Sequence, residues 1–261
     1  MEKFSKSNFL KICREALEFQ LAALYPVRAK IDTNRINLVF LNHDRNFSTF
    51  LTINYLVKHG RVADIYTLSR SMFESIISMG ILSKKLIMND LERYQNYQFI
   101  EIYKTYSHIK KLGLEILSGV SKDQADIMEQ KRNEYMHKFG TKLPTWTGKT
   151  LEENVRLVDA DYPPTCNEDH FYEYLYCQVY RKGSQVTHAS FAGLSKGVEV
   201  EAIKSPVPIT LCRFEVSEPH LIFSCFHSLI IFLSSVRFLG YLLNKKETED
   251  YFQEKCKYVI S

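Results

Sequence analysis

Glycine and proline are scarce in this chain, at 10 and 7 of 261 residues. A many-turned β sandwich needs far more punctuation than that, so long helices with few breaks are expected. There is one tryptophan. None of the six cysteines stands in a C-x-x-C pair, and their spacings match no zinc pattern, so reduced thiols and a cytoplasmic setting are the simplest reading. No H-E-x-x-H or G-x-S-x-G motif occurs, and there is no Arg-rich tract, internal repeat or low-complexity segment. The first residues, Met1-Glu-Lys-Phe-Ser-Lys6, are charged and precede no apolar signal core.

The apolar share is 45% and the charged share 25%, as in an ordinary globular protein. Phenylalanine (17) and tyrosine (16) are abundant. The net charge of +4 is compatible with RNA or another anion without demanding one. Lysines gather at Lys104, Lys110, Lys111, Lys122, Lys131 and Lys138, where solvated helix faces are the plain reading.

Periodicity predicts a helix from Phe4 to Leu24, ended by Pro26, then a short segment over Asp32–Leu41. Further helices are expected over Asp44–Lys58, stopped by Gly60, and over Val62–Lys85. Another runs from Asn89 or Asp90 to Leu112, closed by Gly113, and a polar one from Ser121 to Lys138. Residues 140–167 are irregular except for a short helix opened by the capping box Thr150-x-x-Glu153. A helix follows from about Asn167 to Phe191. Alternation at 198–203 and 209–216 predicts a small β hairpin near residues 198–216. Leu221–Leu243 is long enough to span a bilayer. It carries His227 and Arg237, however, and a mid-helix Arg costs about 2.5–3.5 kcal/mol in lipid. We read it as the central buried helix of a bundle and expect no membrane contact. The expected architecture is all-α, a single domain over 1–261 with its core at 40–245. Residues 114–166 form a peripheral helix and loop, and 247–261 a weak terminal helix.

The informative stretch is Tyr180-Arg-Lys-Gly-Ser-Gln-Val-Thr-His188. On a helix, Tyr180, Ser184 and His188 fall at i, i+4 and i+8, and Arg181 lies two turns before His188. Such a polar set suits a core poorly. Arg70 and Glu74, also at i, i+4, lie among Leu68, Met72, Phe73, Ile76 and Ile77, so their pair is expected to be partly buried. Tyr97, with Tyr94 and Glu101 on one helix face, either packs in the core or lines a site. Trp146 is expected to be packed down as a loop anchor.

Arg70-Ser-Met-Phe-Glu74, Trp146-Thr-Gly148 and Tyr180-x3-Ser184-x3-His188 together resemble a bacterial domain family of unknown function, over roughly residues 40–195. Arg181 and His188, six residues intervening, are more distantly similar to the Arg–His signature of the HEPN superfamily of helical ribonucleases. That resemblance implies a metal-independent ribonuclease or RNA-targeting effector of a bacterial toxin or phage-defence system. His188 would serve as acid/base, Arg181 would hold phosphate, and Glu74 would orient Arg70 or His188. Arg70, Tyr180, Ser184 and Tyr97 would contact substrate, and a homodimer would pair two half-sites. No metal or cofactor is called for. Lys182 stands where such motifs often carry Asn, Asp or His, and Gly183 weakens the helix by about 1 kcal/mol relative to Ala. Two other readings use the same residues: a non-enzymatic ligand-binding or protein-interaction module, and a hydrogen-bond network that only sets helix register.

Overall fold

The computed structural model describes residues 5–28, 34–114, 119–140, 145–162, 169–188 and 218–260. Among them every regular element is helical, as expected of an all-α chain. The hairpin predicted near 198–216 lies outside the described residues. The elements are α1 (Lys6–Arg28), α2 (Asn34–Lys58), α3 (Val62–Lys84), α4 (Asp90–Lys111), α5 (Lys122–Phe139) and α6 (Leu151–Asp161). They continue as α7 (Phe171–Leu175), a π-helical turn (Tyr176–Arg181), α8 (Lys182–Thr187), α9 (Glu218–Leu242) and α10 (Lys246–Ile260).

Two sequence-based boundaries are corrected. Helix α1 runs past Pro26 to Arg28; a proline in the last turn forfeits one backbone bond, not a run of them. The segments Asp32–Leu41 and Asp44–Lys58 are one helix from Asn34, because neither Gly nor Pro interrupts them. Other ends fall where local chemistry puts them. Gly60 and Gly113 take positive φ (65° and 69°), which lets the chain leave α2 and α4. The Thr150 and Glu153 capping box closes in both directions, at 2.7 and 3.2 Å.

The chain divides into two compact units, residues 84–154 and the remainder. In the larger unit α9 is the central helix. By length and composition it could cross a membrane, and 89% of its apolar window is buried within the protein. Phe232 of α9 stacks on Phe50 of α2 at 4.4 Å, and Phe226 meets Phe9 of α1 edge-on at 5.7 Å. Arg237 sits in the middle of this core, 1% exposed. Its guanidinium donates twice to Glu249 of α10, at 2.6 and 2.9 Å, and to the Tyr172 hydroxyl at 3.3 Å. It also lies 4.6 Å from the Phe252 ring. The charge that would be unfavourable in lipid is thus matched by a carboxylate from the next helix.

Two buried imidazoles tie helices together. His43 bonds Gln20 (2.8 Å) and Ser235 (3.0 Å). His227 donates from Nδ1 to the Phe223 carbonyl (2.6 Å) and accepts at Nε2 from the Tyr174 hydroxyl (3.1 Å). Burial pushes His43 down to about 3 and His227 to about 4, the Lys182 cation adding to the latter. Well above pH 6.5 folded and unfolded chains bind the same protons here. As pH falls from 6.5 towards 4, the unfolded chain takes up protons that the folded one refuses, so stability drops. At pH 5 the loss is about 2 kcal/mol for each histidine. Urea midpoints are therefore expected to fall steeply between pH 7 and pH 5, and less so in His43→Gln. Midpoints equal at the two pH values contradict the neutral assignment.

In the smaller unit α4 and α5 run antiparallel. Glu92 near the start of α4 bonds Lys138 near the end of α5 (2.6 Å), while Tyr103 in the middle of α4 meets Arg132. Ser121 and Gln124 form the capping box that starts α5, and only Ala125 and Tyr135 of that helix are buried. The Trp146 loop packs onto this pair. Trp146 is 8% exposed and edge-on to Tyr94 at 5.1 Å, and its carbonyl accepts from the Tyr135 hydroxyl (3.1 Å).

Candidate functional site

The helix predicted from about Asn167 is described from Phe171 to Thr187 and is not uniform. Its middle turn, Tyr176–Arg181, is π-helical, with backbone bonds reaching one residue further than in an α-helix. Phe171, Tyr172, Leu175 and Val179 stay buried through it. Tyr176 and Tyr180 stack nearly parallel, centroids 5.2 Å apart at 12°. The Arg181 guanidinium lies 5.3 Å from the centre of the Tyr176 ring, one π turn earlier. No feature of residue spacing announces a π turn, and sequence reasoning missed it.

Gly183 decides how α8 sits. A Cβ there would stand 2.7 Å from the Tyr66 carbonyl oxygen and 2.8 Å from Cβ of Arg70. The residue that weakens the helix locally is the one that lets its backbone touch α3. The Gly183→Ala variant is expected to lose about 1–3 kcal/mol, because the obstructing atom belongs to the α3 backbone and cannot turn aside. Urea unfolding checks this, and an unchanged midpoint would mean the two helices are not in contact.

With α3 fixed against Gly183, the remaining positions follow at roughly 100° per residue. Arg181 and His188 lie roughly 160° and 140° round from Gly183, within roughly 20° of each other and pointing away from α3. Both are exposed. Lys182 turns to the other side. Its ammonium bonds Gln178 and stands 4.6 Å from the Phe223 ring centre, and burial lowers its pKa. Tyr180 leans towards α3, where its ring takes the Arg70 guanidinium at 4.9 Å and neighbours buried Phe73 at 6.4 Å. Ser184 is half-buried between the two faces.

The predicted stripe therefore splits into two adjoining groups. Arg181 and His188 make an outward face; Tyr180 makes a shoulder with Arg70 and Glu74 of α3. The Arg70–Glu74 pair forms at 3.4 Å, with Arg70 half-buried and Glu74 exposed. Arg70 is thus held by a carboxylate along its own helix and a ring across from it. Tyr97 belongs to the smaller unit. There its ring meets Tyr135 at 6.0 Å, and burial together with the neighbouring Glu101 carboxylate pushes its hydroxyl up to about 12. Among the described residues no three His, Cys, Asp or Glu side chains are grouped to hold a metal ion.

Along this face the Arg181 and His188 backbones are about 10 Å apart, by the rise of an α-helix, and the Arg181 guanidinium leans back over Tyr176. His188 is the last described residue of the helix; its N–H donates to the Ser184 carbonyl at 3.0 Å, which fixes its backbone.

A family model described as a family of unknown function (DUF5677) matches residues 37–204, well over half of the chain, and the chain belongs to that family. The matched span contains Arg70, Glu74, Tyr97, Trp146, Tyr180, Arg181, Ser184 and His188. No curated protein and no solved structure matches the chain.

Proposed function

For this member of the family we propose a HEPN-like, metal-independent ribonuclease whose reacting face is Arg181 and His188. The observation that carries the reading is their shared, exposed orientation on a helix whose opposite side is locked to α3 through Gly183. In the proposed reaction a ribose 2′-oxygen attacks the adjacent phosphorus, and its proton passes to the His188 imidazole. The bond from phosphorus to the 5′-oxygen breaks, and that oxygen takes a proton from an imidazolium or from water. The products are a 2′,3′-cyclic phosphate and a 5′-hydroxyl. Arg181 binds the scissile phosphate and offsets charge developing on its oxygens. Tyr180 and Arg70 receive the neighbouring nucleotide, with Ser184 between the two groups and Glu74 keeping Arg70 in place. A cytoplasmic, homodimeric toxin or phage-defence effector is the setting that fits such an activity.

Expression in a bacterial host tests the reading. The wild type is expected to degrade total RNA and slow growth, and His188→Ala to do neither. Intact RNA and equal growth in both would refute it.

One observation favours a second reading, a binding module without catalysis. Both guanidiniums lie against tyrosine rings, Arg70 on Tyr180 and Arg181 on Tyr176. Such cation–aromatic surfaces serve recognition equally well. Under that reading Arg70→Ala abolishes thermal stabilisation by a nucleotide ligand, and no RNA is cut.

A further inference from the structure

The smaller unit carries a groove that the proposed reaction does not use. It has a volume of about 680 Å³ and runs between α4 and α5, within the size range of ligand sites. Its walls include Tyr97, Tyr103, Lys104, His108, Lys111 and Arg132. Among the described residues that line it, none is a carboxylate. Burial and the neighbouring Glu101 raise the Tyr97 hydroxyl, burial and Glu129 raise that of Tyr103, and Glu101 stands 4.0 Å from Lys104. The Arg132 guanidinium lies 4.8 Å from the Tyr103 ring centre, which holds it upright at the groove wall. With its hydroxyl pushed up to about 12, Tyr97 adds no negative charge at neutral pH.

Three permanent cations and two half-buried aromatic rings in one open groove make a surface for an anion that also has flat faces. We propose that this groove binds a short single-stranded RNA segment, its phosphates on Lys104, Lys111 and Arg132 and a base against Tyr103. A compact anion such as inorganic phosphate would use the cations but gain nothing from the rings. A duplex would hide the base faces that the rings can stack on. The groove lies apart in sequence from the Arg181/His188 face, and the inference stands whether or not that face is catalytic.

The test uses the full chain carrying His188→Ala, so that cleavage cannot consume the probe, and a short fluorescein-labelled oligouridylate read by anisotropy. The logarithm of affinity is expected to fall with the logarithm of salt at a slope of about −2, three phosphates at about −0.7 each. Each of Lys104→Gln, Lys111→Gln and Arg132→Gln weakens binding and lowers that slope by about 0.7. Tyr103→Leu weakens it about tenfold with the slope unchanged. Lys131→Gln, whose lysine faces Glu134 outside the groove, leaves binding as it was. Thermal melting of each variant confirms folding.

Affinity unchanged in the folded triple glutamine variant overturns the proposal, as does competition by inorganic phosphate or heparin undiminished by Tyr103→Leu. Better binding of duplex RNA or of an acidic peptide also overturns it. If groove variants bind normally while the wild type cuts RNA, only the groove is wrong. If the groove binds and no RNA is cut, only the ribonuclease reading is.

Discussion

His188→Ala is expected to slow RNA cleavage by a factor of about 10² to 10⁴ and to leave stability within about 0.5 kcal/mol of the wild type. The rate loss follows from the proposed role, since a positioned acid/base is worth that factor in a proton transfer. The unchanged stability follows from exposure: the ring lies at the surface at the end of α8, and truncating it opens no cavity. A merely structural histidine would behave in the opposite way, losing a kcal/mol or more of stability with no other effect. Arg181→Ala is expected to behave like His188→Ala, with weaker RNA binding besides. Comparing rate and urea midpoint in the same two variants separates the readings.

Glu249→Ala is expected to cost about 3 kcal/mol and to lower the melting temperature accordingly. Arg237 is among the largest fully buried side chains of the protein, and Glu249 is its matching charge. Removing the carboxylate leaves a guanidinium with the Tyr172 hydroxyl as a neutral acceptor and with aromatic rings around it. Neither neutralises a charge out of water. Glu249 itself is about one-third exposed, so some water can enter in its place, which keeps the cost at the lower end of the range for broken buried pairs. The double variant Arg237→Met, Glu249→Leu is expected to recover most of the loss, because the net value of a buried pair over an apolar filling is small. Thermal and urea unfolding of the two variants decide it. A Glu249→Ala protein as stable as the wild type would mean that the pair does not hold α10 against α9.

The parts legible in the sequence are those decided by neighbours along the chain. Gly60, Gly113 and the Thr150–Glu153 box end or start helices because a positive φ or a reciprocal cap is a local matter. The Arg70–Glu74 pair is equally local, one turn of one helix. The long apolar helix reads as a core helix because of Arg237, yet the residue that makes that arginine tolerable, Glu249, lies on another helix and no pattern points to it.

Two features of the candidate site were hidden as well. The π turn at Tyr176–Arg181 has no signature in residue spacing, and Phe171, Tyr172, Leu175 and Val179 would share one face of a plain α-helix as well. Gly183 reads as a helix-weakening residue until Tyr66 and Arg70 are seen 2.7 and 2.8 Å from where its side chain would be. Once α8 is fixed there, Arg181 and His188 must face outward and Tyr180 must meet Arg70. The single polar stripe expected from i, i+4, i+8 spacing becomes two groups, because eight residues of helix drift by roughly 80°. The lysines at 104 and 111 read as solvated charges for want of their partner: Arg132 joins them only when α5 folds back along α4.

If Arg181 and His188 form a metal-independent ribonuclease face, as proposed, purified wild-type protein incubated with RNA in excess EDTA will cut it where His188→Ala does not, and the product ends report the chemistry. The wild type is expected to give fragments ending in 2′,3′-cyclic phosphate and beginning with 5′-hydroxyl, and the variant to leave the RNA intact. No cleavage by the folded wild type, or cleavage that persists in His188→Ala, would contradict the proposal.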